Sequence, residues 1–143
     1  MKDIDLAKEI LEKEKLALVI VKDAKVIFSS KEKGIKPIYI AVNTLKDKLH
    51  NSSVADRVIG KAAAMLCKYS NVKALHTKLI SESAIKVLEK ENIIFTYDES
   101  APYIKNRDKT DLCPVEKLSS DIDNPNLLIE KITDFLDRIQ KRK

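Results

Sequence analysis

The chain has 143 residues, 44% of them hydrophobic and 34% charged, which is long enough for one domain with a real core and fits a soluble globular protein. Its net charge of +5 is spread among Asp and Glu rather than gathered in a stripe, and with no Trp and only 5% aromatic residues it lacks the stacking platform of a nucleic-acid binder. No run approaches the length of a membrane span, the N-terminus shows no apolar signal-peptide core, and the two cysteines, Cys67 and Cys113, read as reduced thiols in a cytoplasm.

Residues 3–14 predict a short amphipathic helix, with Asp3 positioned to cap it and Ile4, Ala7, Ile10 and Leu11 on one face. Leu16 to Val21 is an unbroken apolar run that reads as a buried strand, and Val26 to Ser29 resumes after a polar turn, which suggests a hairpin. The turn, within Lys22-Asp23-Ala24-Lys25, lacks the favoured Asn-Gly or Asp-Gly pair. Gly34 and Pro37 punctuate the next segment, after which Ile38 to Leu49 predicts a helix that packs on the sheet.

Residues 50–53 read as a loop leading into a central helix that starts at about Val54 and runs to Lys68. Ser53 and Asp56 have capping-box spacing, and apolar or small residues occur in nearly every direction around the helical axis, with Arg57, Lys61 and Lys68 in one polar strip. Gly60 would fall in the second turn of that helix, at a cost of about 1 kcal/mol relative to Ala, which suggests a close approach to the backbone. Arg57 and Lys61 would lie near its N-terminus, where an anion could dock beside them.

Val72 to Ile80 predicts a third strand, Ser81 the cap of a helix ending near Asn92, and Ile93 to Tyr97 a fourth strand. Residues 101–112 are polar and irregular. Cys113-Pro114 and Asn124-Pro125 each have the form of a helix start, and Leu128, Ile132, Phe135, Leu136 and Ile139 give the last helix a clean apolar face. The basic tail, Arg138 to Lys143, reads as a solvated helix end. The order of elements implies a single layered α/β domain with a mixed sheet.

A thiol at a helix start gains thiolate character, so Cys113 is the one candidate nucleophile; the competing readings are a packed cap and a thiol that only contacts a ligand. Asn106 and Arg107 could hold a phosphate or carboxylate, or pin their own loop. Glu116 could reach back to the Cys113 cap, and Asp56 has the same structural alternative at Ser53. His50 and His76 have no partner at ligand spacing, there is no C-x-x-C, and two glycines cannot build a phosphate or dinucleotide loop, so neither metal nor cofactor is expected.

In matching order, Gly34-Ile35 with Pro37, Asp56 with Gly60-Lys61-Ala62-Ala63-Ala64, Ser81, and Asn106-Arg107-Asp108 with Cys113-Pro114 and Glu116 resemble a prokaryotic domain-of-unknown-function family. That family has the fold of the cytidine deaminases, and the resemblance spans residues 16–123. It implies a three-layer domain whose mixed sheet has four to five strands. Working zinc deaminases carry H-x-E at one helix start and P-C-x-x-C at the next, and neither set is present here. The resemblance therefore implies a retained fold without the hydrolytic chemistry, and a pocket rebuilt from Asp56, Lys61, Ser81 and the late loop.

Three functional readings stay open. One is a zinc-free domain that binds a small anionic ligand, a nucleotide or phosphorylated sugar, through Asp56, Gly60, Lys61, Ser81, Asn106, Arg107 and Glu116. The second is an enzyme using Cys113. The third is a regulatory or structural interaction domain, compatible with a homo-oligomer, with the first and last helices as partner surfaces.

Overall fold

The computed structural model describes residues 2–105 and 113–141. Five strands form one sheet: β1 (Leu18–Lys22), β2 (Lys25–Ser30), β3 (Ser53–Ile59), β4 (Ala74–Ser81) and β5 (Ile94–Ala101). Among the described residues six helices accompany them: α1 (Asp3–Lys13), α2 (Lys36–Leu45), α3 (Lys61–Tyr69), α4 (Glu82–Glu89), α5 (Pro114–Ser119) and α6 (Pro125–Lys141), with a 3-10 turn over Lys46–Leu49 after α2. The strand order is β2-β1-β3-β4-β5. β1 runs antiparallel to β2 and β3, whereas β3, β4 and β5 are parallel and joined through α3 and α4.

The expected central helix from Val54 is two elements. Residues 53–59 form β3, the middle strand, and the helix starts only at Lys61 with Gly60 as its extended N-cap. Ser53, Val54 and Ala55 are all buried because β3 is covered on both faces. A strand covered on both faces reads as a continuous apolar run, and periodicity cannot tell such a run from a buried helix. The Ser53–Asp56 capping box therefore does not exist, and Arg57 and Lys61 lie on different elements.

The two faces have separate cores. Ala7, Leu11, Leu16, Val19, Val21 and Ala55 pack under α1 on one side. The principal core lies on the other, where Leu18, Ile20 and Val54 of the sheet meet Ile38 of α2, Leu66 of α3, Leu88 of α4, and Leu128 and Ile132 of α6. The architecture is thus three-layered: α1, the sheet, and the remaining helices. The apolar faces of the first and last helices are used in this packing. Among the described residues no helix is long and apolar enough to cross a membrane.

β3 and β4 both depart from strict alternation. Val54 and Ile59 belong to the same core, as do Leu75 and Ile80, although residues five apart in a regular strand face opposite ways. Local side-chain bonds accompany the slip: Asp56 Oδ1 accepts the N–H of Arg57 (2.7 Å) and Val58 (3.3 Å), and Thr77 Oγ1 donates to the Leu79 carbonyl (3.0 Å).

Asp3 does not cap α1; Lys2 is the N-cap residue. The Asp3 carboxylate instead accepts the N–H groups of Asp23 and Ala24, each at 3.0 Å. Those two residues form the expected hairpin turn with φ of 52° and 63°, the left-handed pair of a type I′ turn made without glycine. The carboxylate from α1 provides what the turn sequence lacks.

Candidate functional site

The C-terminal ends of the parallel strands β3 and β4 feed directly into the N-termini of α3 and α4, the place where open α/β sheets present their sites. Gly60 turns the chain from β3 into α3. The N–H of Lys61 donates to Glu116 Oε1 at 2.9 Å, so a carboxylate from α5 sits on the positive end of α3. A Cβ on Gly60 would overlap that carboxylate and lie 3.5 Å from Ile104 Cγ1, which is the close approach that the glycine signalled. Glu116 therefore caps α3 across the fold and does not reach back to Cys113.

The Lys61 side chain turns to the same segment. Its Nζ donates to the Ser120 carbonyl at 3.0 Å and pairs with Asp123 Oδ1 at 3.3 Å, and the side chain is only 12% exposed although Asp123 is 95% exposed. Lys61 and Glu116 together clamp the chain after α5 against the start of α3. Ser120, Asp123 and Ile104 carried no sequence signal, because they reach the site only through this long-range packing.

Ser81 behaves as its position predicted. It ends β4, is fully buried, and its Oγ accepts the Ala84 N–H at 3.2 Å while contacting Ser83 Oγ at 3.1 Å. Asp56 shares the face of Val54, on the α3 side of β3. Burial pushes its carboxyl up to about 7, against the opposing pull of the Val58 and Arg57 N–H groups and the Arg57 charge. Neither Asp56 nor Ser81 bonds to the Lys61–Glu116 group among the described residues. Thr77, fully buried and directly across from Asp56 on β4, carried no distinct sequence signal, because His76 and Lys78 flank it with other polar residues.

Arg57 has a different role. Its Nε donates to the Leu16 carbonyl (2.6 Å) and its second guanidinium nitrogen to the Leu11 carbonyl (3.2 Å), beside Glu12, which also pairs with Lys78. This ties the C-terminal end of α1 to the sheet, where a cation complements the helix dipole. The Lys78 ammonium holds Glu12 below the ordinary carboxylate range.

Cys113 is the partly buried N-cap of α5, and its N–H donates to the Ile104 carbonyl at 2.9 Å. Neither histidine can serve it as a base. His50 lines a cavity with Tyr69 and Ser70 at the far end of α3, whose nine residues span about 13 Å. His76 lies on the α1 face, where its Nδ1 meets Thr96 Oγ1 at 2.7 Å and burial and Lys8 lower its pKa. Cys67 is fully buried, and desolvation pushes its thiol up to about 12. Asn106 and Arg107, the remaining candidates, lie outside the described residues.

The model of a domain-of-unknown-function family, DUF1893, matches residues 6–136, and the chain belongs to that family. It is similar to the crystal structure of a DUF1893 family protein, TM1506, from Thermotoga maritima, with a TM-score of 0.85 and 32% identity over 94% of this chain and 90% of that one. No curated protein matches the chain.

Proposed function

We propose that this member of the DUF1893 family is a small-ligand-binding domain with a cytidine-deaminase-like fold and without deaminase chemistry. It takes an anionic ligand, a nucleotide or phosphorylated sugar, at the C-terminal ends of β3 and β4. The fold reading is supported by the three layers and by the helices that follow two adjacent parallel strands, the places where deaminases carry H-x-E and P-C-x-x-C. Here those helices open with Gly60-Lys61-Ala62 and Ser81-Glu82-Ser83.

One observation carries the ligand reading: the start of α3 already holds a carboxylate, that of Glu116. The N–H group and dipole that receive Glu116 suit a phosphate oxygen equally well. Lys61 supplies the cation once Asp123, the almost fully exposed partner of the pair, turns out into solvent. Because Glu116 is tethered, it competes at high effective concentration, and a ligand needs more than one contact to displace it. A phosphate that meets both the Lys61 N–H and its ammonium satisfies that requirement.

Thermal shift with a panel of nucleotides and sugar phosphates tests this on wild type, Glu116→Gln and Lys61→Ala. A phosphate ligand raises the melting temperature of wild type, raises that of Glu116→Gln further, and leaves Lys61→Ala unmoved. No shift in wild type or Glu116→Gln with any member of the panel refutes the reading.

A further inference from the structure

A second concave site, an open cavity, lies at the other end of α3, away from the clamp. It opens to solvent and has a volume of about 660 Å³, between the end of α2, the turn that follows it, the C-terminus of α3 and the first turns of α6. That volume suits a small organic ligand. Its walls are Val42 and Ile129, the polar side chains of Asn43, His50, Tyr69, Ser70 and Asn71, and one charge of each sign, Lys46 and Asp47.

The chemistry of this wall is distinctive in three ways. The net charge is zero, so the lining favours neither an anion nor a cation. The two carboxamides, the hydroxyls and the imidazole each offer both a donor and an acceptor. Tyr69 is 46% exposed, so its ring offers one flat apolar face. A ligand matching this wall carries several groups that both donate and accept, together with one flat C–H face.

The backbone around the cavity is also unusual. Lys46 has φ 48° and ψ −119°, and Asn71 and Asn51 have φ of 55° and 63°. Asn enters the left-handed region readily, but the Lys46 conformation lies outside it and costs about 1–3 kcal/mol, and residues held so cluster at ligand clamps. Asn51 and Asn71 are locked together, with the Asn51 N–H on the Asn71 carbonyl at 3.0 Å. Next to Asn51, the fully buried Ser52 has a hydroxyl with no hydrogen-bond partner among the described residues.

We infer that this cavity is a second binding site, for a neutral sugar or polyol of monosaccharide size. The ring's C–H face lies on Tyr69, and its hydroxyls are read by Asn43, Asn71 and His50. This site is separate from the anion seat at the start of α3 and does not depend on it.

The test is an amide-resolved NMR titration of the full chain with ribose, glucose, galactose, mannose and myo-inositol, and with the phosphates of the first two as a control arm. At least one neutral compound produces saturable shifts confined to residues 42–50, 69–71 and 129. Asn43→Ala, an exposed helix substitution that spares the core, and Tyr69→Ala each weaken that binding at least tenfold, while the phosphates' shifts at Lys61 persist in both variants. Absence of saturable shifts at the cavity for every neutral compound overturns the inference. So does binding that survives both substitutions, or binding that maps only to the start of α3, as an anion-seat ligand would.

Discussion

Asp56 offers the most direct physical test of how β3 is buried. Its carboxyl lies on the α3 side of the central strand, and burial raises it from 3.8 to about 7. Between those two values the folded chain holds a proton that the unfolded chain has released. The folded state therefore binds more protons, and stability falls as pH rises through this window. Each pH unit across it costs up to about 1.4 kcal/mol, which limits the whole effect to about 4 kcal/mol. Asp56→Asn keeps an oxygen for the N–H groups of Arg57 and Val58 but cannot ionise. The variant should match wild type near pH 4 and exceed it by about 2–4 kcal/mol near pH 8, or roughly 3 °C in melting temperature per kcal/mol. Urea denaturation of both proteins across that range measures the difference, in which the titration of other carboxylates such as Glu12 largely cancels. A stability difference that stays flat from acid to alkaline pH would refute the argument, because it would mean an ordinary carboxyl in the folded chain.

Three further outcomes follow from particular contacts. Gly60→Ala drives the Glu116 carboxylate off the Lys61 N–H and should cost about 1.5–3 kcal/mol, the value of a charge-assisted bond, and a double-mutant cycle with Glu116→Ala should show most of that cost to be shared. Purely additive effects in that cycle would place the cost elsewhere. Ala24→Gly should stabilise the chain by about 1 kcal/mol, since φ of 63° penalises a Cβ, and chemical denaturation reads the change. Iodoacetamide should label Cys113 in the folded protein and reach Cys67 only on unfolding, as mass spectrometry of the native and urea-treated chain would show; comparable native rates would contradict the burial of Cys67.

Elements whose signals are local could be read from the chain alone. The α1 stripe, the β1–β2 hairpin, the Ser81 cap of α4 and the Asn124-Pro125 start of α6 all depend on neighbours within a few residues, and each forms where it was expected. Gly60 was legible as a place of close approach, although its partner was not. Tertiary structure alone decided β3. Its residues are apolar on both sides because β1, β4, α1 and the α3 layer cover it, and a window of sequence holds no record of which neighbours those are. The same limit governs the site. Glu116 was expected to serve its own helix start and instead serves α3, 55 residues away in sequence, and Lys61 closes on Ser120 and Asp123. A side chain's charge and type are local properties, but the partner that satisfies it is chosen by the packing of the whole chain.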